Sequence, residues 1–186
     1  MSLFIQNDQQ RQWMEKIGRI ADEFQQTAAE DDEQGRFPAE KIQKLRDAGY
    51  TALTLPASHG GGGISVYDML LFQERLARGD APAALSIGWH LSVIGELGEG
   101  NSWDKDVFAF VAKEVQNGAV INRAATEAKT GSPTRGGRPG THAGPDKRRA
   151  PRYTRRQKGW QMGSEREKNL YDDVTSSGLF FSNRMD

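Results

Sequence analysis

Apolar residues recur at helical spacing in the first part of the chain. Between Asn7 and Glu30 they lie four, three, four and four residues apart, at Trp13, Ile17, Ile20, Phe24 and Ala28. Because residues three and four apart share one face of an α-helix, this spacing predicts an amphipathic first helix.

A second helix is predicted from Pro38 to Gly49. Proline fits the first helical turn, whose N–H groups have no helical partner, and glycine adopts the left-handed conformation that ends many helices. The inward residues of this helix are expected to be Ile42, Leu45 and Ala48. Residues 50–56 are expected to form a short extended link, and residues 58–63 a glycine-rich turn.

A third helix is predicted to begin after Ser65. Ser65 and Asp68 have the spacing of a capping box, in which the two side chains satisfy each other's free backbone N–H groups. The apolar residues of this helix are Met69, Phe72 and Leu76.

The fourth helix is predicted to run from Asp80, as its N-cap, to about Leu97, with Gly98 ending it. Its large apolar residues surround the helix on all sides, which is typical of a central, buried helix. They are Leu85, Ile87, Trp89, Leu91, Val93 and Ile94.

A fifth helix is predicted between Ser102, as its N-cap, and Gly118. Its inward residues are expected to be Phe108, Val111, Ala112 and Val115. Five helices joined by short loops predict an α-helical bundle over residues 1–118.

The pattern changes after residue 118. Residues 119–125 are typical of a strand, and residues 126–140 are rich in Gly, Thr, Ser and Pro, so 119–143 is predicted to begin a β-domain. Residues 144–186 lack periodicity, are strongly basic at first and end in polar residues, which predicts a disordered tail. The predicted fold is mainly α: a five-helix amino-terminal bundle, the first strand or strands of a truncated β-domain, and a disordered basic tail.

Overall charge does not indicate a particular partner, because the 186 residues contain 25 Lys and Arg and 25 Asp and Glu. The absence of cysteine excludes disulfides and thiolate metal sites and suits a reducing cytoplasm. The first ten residues have no basic flank followed by an apolar run, and no stretch is long and apolar enough for a membrane span. A soluble, cytoplasmic protein is therefore expected.

Two kinds of catalytic site are disfavoured. The run from His59 to Gly62 resembles the oxyanion-hole loop of esterases, but the Gly-x-Ser-x-Gly nucleophile motif of those enzymes is absent. The three histidines, His59, His90 and His142, do not have metal-ligand spacing, so no metal site is predicted. His90 lies on the fourth helix and is expected to be a hydrogen-bonded core or pocket residue.

A basic segment follows the predicted strand. Residues 147–158 contain seven Lys and Arg, and Tyr153 and Trp160 lie within or beside them. Cations for phosphates and aromatic rings for bases would suit a nucleic-acid arm on a helical binding module. Because no recognised nucleic-acid module accompanies the segment, no nucleic-acid partner is predicted.

The string from Arg123 to Ser132 carries the most specific chemistry. A strand that ends in Thr126 and turns at Gly131 and Ser132 presents backbone N–H groups and hydroxyls at one rim. Such groups can hydrogen-bond the edge of a flat heterocycle and a nearby phosphate. Taken alone the motif is short, and a capped turn is the simpler interpretation.

In motif order the chain resembles the acyl-CoA dehydrogenase family over about residues 10–143. Phe37-Pro38 with the later Gly49-Tyr50 is similar to the family's second helix. Residues 55–63 are similar to its Pro…Gly-Gly-x-Gly turn, and residues 66–76 to the helix that follows. Residues 126–132 are similar to its Thr-Glu-Pro-x-x-Gly-Ser-Asp signature.

The resemblance implies an FAD cofactor and an acyl-CoA substrate. It places Ala125 and Thr126 against the flavin, and Gly131 and Ser132 near the cofactor and the pantetheine arm of the substrate. Three departures, at Arg123, Ala128 and Pro133, suggest a divergent branch and leave the acyl substrate open. A flavin monooxygenase-like relative on the same scaffold is the alternative.

The family's reaction implies a glutamate base that takes the α-proton while the β-hydride passes to the flavin. That base belongs to a carboxy-terminal helical domain, which this chain is expected to lack, so no catalytic residue is assigned. Glu127 belongs to the flavin signature and is not that base. A full-length relative is expected to be a homo-oligomer.

The last segment is interpreted as an out-of-frame translation. Codons can be chosen for residues 168–186 so that reading them one nucleotide later gives alternating apolar residues. That pattern is typical of two strands joined by a turn. We therefore expect a frameshift near Ala143 or Gly144. The resulting chain is expected to bind FAD weakly or not at all and to aggregate, because an incomplete sheet exposes apolar surface and unpaired backbone.

Overall fold

The computed structural model describes residues 4–100, 103–123, 136, 144–145, 153–154 and 179–182. The chain divides into two units, Met1–Gly118 and Ala119–Asp186. Within the described residues of the first unit, five α-helices are present, and they are labelled α1 to α5 in chain order.

The first helix, α1, spans Asp8–Glu33 and so extends slightly beyond the predicted end. The Asn7 side chain accepts a hydrogen bond of 2.8 Å from the Gln10 backbone N–H and caps the helix. Ile17, Ile20 and Phe24 are buried, which confirms the predicted face.

The second helix, α2, spans Ala39–Asp47, directly after Pro38. Gly49 has a φ of 78°, the left-handed conformation expected at the end of this helix.

The extended link predicted for residues 50–56 is wrong at its start, where Tyr50–Ala52 forms a 3-10 helix. The Tyr50 side chain is fully buried, and its hydroxyl donates a 2.9 Å hydrogen bond to Gln73 Oε1. The buried Tyr50 side chain is therefore presented to the core from a 3-10 turn and not from a strand.

A second 3-10 helix, Ala57–His59, leads into the predicted glycine turn. Gly60 and Gly63 have positive φ values of 75° and 57°. A Cβ atom on Gly61 would lie 2.1 Å from the Leu55 carbonyl oxygen, so only glycine fits there.

The third helix, α3, spans Val66–Gly79 and begins with both hydrogen bonds of the predicted capping box. The fourth, α4, spans Ala81–Gly100. Asp80 caps it as predicted, because its Oδ1 accepts a 2.7 Å hydrogen bond from the Ala83 N–H.

Two predictions for α4 are wrong. Gly98 does not end the helix, which continues to Gly100. The helix is also not buried on all sides, since Leu85 is 66% exposed and Trp89 is 56% exposed. Apolar residues all around a helix predict burial only if every face has a neighbour, and one face of α4 has none among the described residues.

The fifth helix, α5, spans Lys105–Gln116. Its N-cap is Asp104, whose carboxylate accepts from the Asp106 N–H, whereas the predicted cap Ser102 lies outside the described residues. All of its predicted inward residues are buried, namely Phe108, Val111, Ala112 and Val115.

Close helix packing builds the core of the first unit. Gly79 lets α3 approach α1, because a Cβ atom there would lie 2.1 Å from the Ala21 carbonyl oxygen. The largest fully buried side chains include Tyr50, Phe72, Ile17, Leu45, Leu76 and Ile94.

The described residues of the second unit form short strands. Strand β1, Val120–Arg123, lies within the predicted strand 119–125 and pairs antiparallel with β4, Leu179–Ser182. Strands β2, Gly144–Pro145, and β3, Tyr153–Thr154, also pair antiparallel. The predicted loop over 126–140 falls outside the described residues except at Gly136, and most of the predicted disordered tail falls outside them as well.

Candidate functional site

The residues predicted to contact flavin and substrate fall on a part of the chain that the structure does not describe. Ala125, Thr126, Gly131 and Ser132 all lie outside the described ranges. Arg123, the last described residue before them, is also the last residue of β1. Their roles therefore stay predictions.

An open groove of about 610 Å³ lies along the second half of α4. Its other walls come from residues 54–64 and from the start of α3. Its apolar lining includes Ile64, Val66, Met69 and Leu91. The volume lies within the range of about 300–1,000 Å³ that small-molecule sites occupy.

Small residues on α4 shape one wall of this groove. Gly95 faces Thr54, whose hydroxyl donates a 2.8 Å hydrogen bond to the Leu91 carbonyl oxygen. A Cβ atom on Gly98 would lie 2.6 Å from the Pro56 ring. No site was predicted here from the sequence, although Ser92, Gly95 and Gly98 follow one another at helical spacing and could have indicated this wall.

The polar groups of the groove are mainly acidic. Glu96 and Glu99 line it from α4, and Ser92 contributes a hydroxyl. Carboxylates repel phosphate groups, whereas the apolar lining can take an aliphatic chain. The groove therefore suits the apolar portion of a ligand better than a phosphorylated one.

The glycine turn after His59 cannot act as an oxyanion hole, because its N–H groups are already used. Those of Gly60 and Gly61 donate to Ala57 and Pro56 carbonyl oxygens at 3.0 and 3.2 Å. Those of Gly62 and Gly63 both donate to carbonyl oxygens at 2.9 Å. This agrees with the prediction that the His-Gly-Gly-Gly run is only a tight turn.

His59 is held in place at this turn. Its ring meets the Phe108 ring edge-on at 4.9 Å, and its Nδ1 lies 3.1 Å from the Ser58 hydroxyl. The Gln116 side chain donates a hydrogen bond to the His59 carbonyl oxygen. These contacts join the turn to α5.

His90 is a core residue, as predicted. It is 1% exposed, and its Nε2 lies 2.8 Å from the Thr51 carbonyl oxygen, to which it donates. Burial, helped by the nearby Arg46 charge and opposed by the Thr51 hydrogen bond, lowers the pKa of His90 to about 4. The imidazole is therefore neutral at pH 7.

A cluster of charged side chains lies where α2 meets the junction of α3 and α4. Lys41 Nζ is 2.5 Å from Asp80 Oδ2 and 2.6 Å from Asp31 Oδ2. Burial alone would lower the pKa of Lys41, but the hydrogen bonds to Asp31 and Asp80 outweigh it and raise the pKa. The hydrogen bond from Lys41 lowers the pKa of Asp31. Because Lys41 contacts both Asp31 and Asp80, the cluster is suited to holding helices together.

The described residues contain neither a metal-binding cluster nor a membrane-spanning helix. No group of three or more His, Cys, Asp or Glu side chains in that part of the chain is placed to hold a metal ion. None of the described helices is both long and apolar enough to span a membrane.

Comparison with known proteins identifies the helical unit. Residues 7–108, more than half of the chain, match the family model described as acyl-CoA dehydrogenase, N-terminal domain. YdbM of Bacillus subtilis (strain 168), named as an acyl-CoA dehydrogenase, is 99% identical over 143 residues, or 77% of this chain and 38% of YdbM. The chain therefore spans well under half of the length of this relative.

Two more distant relatives are named for other reactions. A 3-sulfinopropanoyl-CoA desulfinase of Variovorax paradoxus is 33% identical over 75 residues, covering 40% of this chain and 19% of that protein. SfnC of Pseudomonas putida, named as an FMNH2-dependent monooxygenase, is 37% identical over 71 residues, covering 38% of this chain and 18% of SfnC. Because the family model matches more than half of the chain, this chain belongs to the acyl-CoA dehydrogenase family.

Proposed function

We propose that this chain contributes the helical wall and the first flavin-facing strand of an FAD-dependent acyl-CoA dehydrogenase. The observation that carries the proposal is the change of structure after residue 118. Helix α5 ends at Gln116, Gly118 takes a φ of 91°, and β1 then leads toward Thr126. A helical domain followed by a strand and the Thr126 to Ser132 signature is the order that the family resemblance predicts.

Ala125 and Thr126 are the proposed flavin contacts, and Gly131 and Ser132 the proposed contacts to the cofactor and the pantetheine arm. Backbone N–H groups and hydroxyls of these residue types can donate to a flavin edge or an amide. FAD, when bound, supplies the hydride acceptor for α,β-dehydrogenation of an acyl-CoA thioester. The groove along α4 adds apolar wall, and its Glu96 and Glu99 disfavour the CoA phosphates there.

Substitutions in full-length YdbM test the site. Thr126→Val and Ser132→Ala, at the matching positions, should lower bound FAD and acyl-CoA turnover respectively. Thr130→Val is the matched control, since it makes the same change in the same loop at a residue with no assigned role. FAD content measured by absorbance that is equal in the Thr126→Val and Thr130→Val proteins would refute the assignment.

We also propose that residues 144–186 arise from a frameshift near Ala143 or Gly144. The 99% identical match to YdbM is 143 residues long, which is the length of the chain up to Ala143. Genomic DNA across this codon gives a direct test. The proposal would be excluded if no single-nucleotide insertion or deletion near this codon restored the YdbM sequence in the following codons.

For the chain as it stands, we propose weak or no FAD binding and no turnover. The base that the family reaction needs is expected in a carboxy-terminal domain, and the match covers 38% of YdbM. A purified chain that is yellow, with one FAD per chain, would contradict this.

A monooxygenase-like activity of the full-length protein is the second candidate. The similarity to SfnC, 37% identical over 71 residues, favours it. Full-length protein assayed with an acyl-CoA and an artificial electron acceptor, and separately with reduced flavin and oxygen, distinguishes the two. Turnover only in the second assay would favour the monooxygenase.

A further inference from the structure

One side chain joins the glycine turn, residues 57–63, to the end of α5. The Gln116 side-chain amide donates a hydrogen bond from Nε2 to the His59 carbonyl oxygen, and the two residues are 57 positions apart in the sequence. Gly60, the next residue of the turn, has a φ of 75°, and a Cβ atom there would overlap Gln116 Nε2. Position 60 therefore requires glycine both for the backbone conformation and for the space that Gln116 occupies.

The hydrogen bond from Gln116 is not needed for the shape of the turn. The N–H groups of residues 60–63 already donate to carbonyl oxygens of residues 52–57, so the turn closes on itself. The contacts with α5 are of another kind, because they join the turn to a different element. They are the Gln116 hydrogen bond and the Phe108 ring, which meets the His59 ring edge-on at 4.9 Å. These two contacts fix where the turn lies and not how it folds.

The location of the turn sets one wall of the groove along α4. Pro56, Ala57 and Gly63 line the groove from this side. Gly98 lines it from α4, and a Cβ atom on Gly98 would lie 2.6 Å from the Pro56 ring. The two walls are therefore already in close contact at Gly98, and a displaced turn would change the width of the groove. Displacements of about 1 Å in a site can strongly impair the use of a substrate.

We propose that Gln116 is a positioning residue for this groove. By holding the His59 carbonyl oxygen, it keeps the glycine turn at the distance from α4 that the apolar portion of an acyl-CoA requires. This inference rests on the proposed function, in which the groove adds an apolar wall to the substrate site. Gln116 lies outside the lining of the groove and is exposed at the end of α5, so it acts through the turn.

Hydrogen exchange and steady-state kinetics of full-length YdbM test the proposal. Gln116→Glu, at the matching position, keeps the shape of the side chain but replaces the donating amide with a carboxylate, which only accepts. Gln116→Lys keeps a donor and is the rescue variant. Gln25→Glu is the matched control, because it makes the same chemical change at an exposed position of α1.

In the Gln116→Glu protein, the amides of residues 57–63 should exchange about fivefold faster, which is the factor that one neutral hydrogen bond contributes. The KM for an acyl-CoA should rise about fivefold, while kcat and FAD content change by less than about twofold. The Gln116→Lys protein should lie closer to unsubstituted YdbM in both measurements. The Gln25→Glu protein should match unsubstituted YdbM.

Unchanged exchange of residues 57–63 in the Gln116→Glu protein would overturn the proposal, because the turn would then be held without Gln116. Faster exchange with an unchanged KM would also overturn it, since the turn would then move without affecting substrate binding. A fall in kcat and FAD content without a rise in KM would indicate a general loss of structure and would likewise count against it. So would a Gln116→Lys protein that is as impaired as the Gln116→Glu protein.

The two measurements separate this inference from the proposed function. YdbM that turns over no acyl-CoA, but whose turn exchanges faster only in the Gln116→Glu protein, would contradict the proposed function and leave Gln116 as the residue that holds the turn. YdbM that oxidises an acyl-CoA with the same KM in the Gln116→Glu and Gln25→Glu proteins would contradict the positioning role alone.

Discussion

Lys41 carries a buried positive charge between three helices. Its Nζ contacts Asp80 at 2.5 Å and Asp31 at 2.6 Å, and it lies 3.4 Å from the Phe24 carbonyl oxygen. The Asp80 side chain is 2% exposed, and its other oxygen caps α4. One side chain therefore connects α1, α2 and the start of α4.

Replacing Lys41 with Met keeps most of the buried aliphatic volume and removes the charge. Asp80 would then be a buried carboxylate without its cation, and losing one partner of a buried ion pair costs about 3–5 kcal/mol. We expect a loss near the lower limit, about 3 kcal/mol, because Asp31 is 21% exposed and can be hydrated instead.

The free energy of unfolding is measured by urea titration with circular dichroism at pH 7. At pH 7 both Lys41 and Asp31 contribute fully to the free energy of unfolding. The raised pKa of Lys41 means that its contribution is lost only as the pH rises above the ordinary value of 10.5. The lowered pKa of Asp31 means that its contribution is lost only as the pH falls below the ordinary value of 3.8.

Lys44→Met is the matched control on the same helix. Lys44 pairs with Glu23 at an exposed site, so its replacement should cost less than about 1 kcal/mol. Adding Asp80→Asn to Lys41→Met should recover part of the loss, because asparagine still caps a helix and is neutral. A Lys41→Met protein as stable as the Lys44→Met protein would refute the reasoning.

Three further predictions concern single residues of the core. Because the pKa of His90 is lowered to about 4 from 6.5, its contribution to stability is present above pH 6.5 and should decline by about 3 kcal/mol as the pH falls to 4. His90→Gln should remove this pH-dependent loss of stability, which urea titrations at pH 6.5 and pH 4 would measure. An unchanged pH dependence in the His90→Gln protein would contradict the prediction. Within the described part of the chain, the Arg46 guanidinium has two buried nitrogens, Nε and Nη2, without a hydrogen-bond partner. Arg46→Met should therefore raise the melting temperature, and a lowered one would count against this account. Gly79→Val should lower the melting temperature strongly, because a Cβ atom there meets the Ala21 backbone, whereas a valine tolerated without change would show that α1 and α3 can separate.

Membership of the family does not by itself specify one reaction. Relatives named for a dehydrogenase, a desulfinase and a monooxygenase all match this chain over part of their own length. Folds commonly host several reactions, and the site rather than the scaffold separates them. In this chain the described helices supply walls and packing surfaces, and the proposed cofactor contacts begin after β1.

Local sequence was sufficient to predict the helices and several of their ends. The capping box of Ser65 and Asp68, the Asp80 cap and the left-handed Gly49 all depend on residues a few positions apart. The buried face of α5 followed from helical spacing alone. The family resemblance was also readable, because it depends on the order of short motifs.

Tertiary structure decided the features that depend on distant residues. Tyr50 begins a 3-10 turn, and its buried hydroxyl contacts Gln73, twenty-three residues away. Lys41 is a buried structural cation only because Asp31 and Asp80 converge on it. Trp89 has the sequence pattern of a core residue but lies on an open face, since burial depends on which element packs against a helix and not on the helix itself.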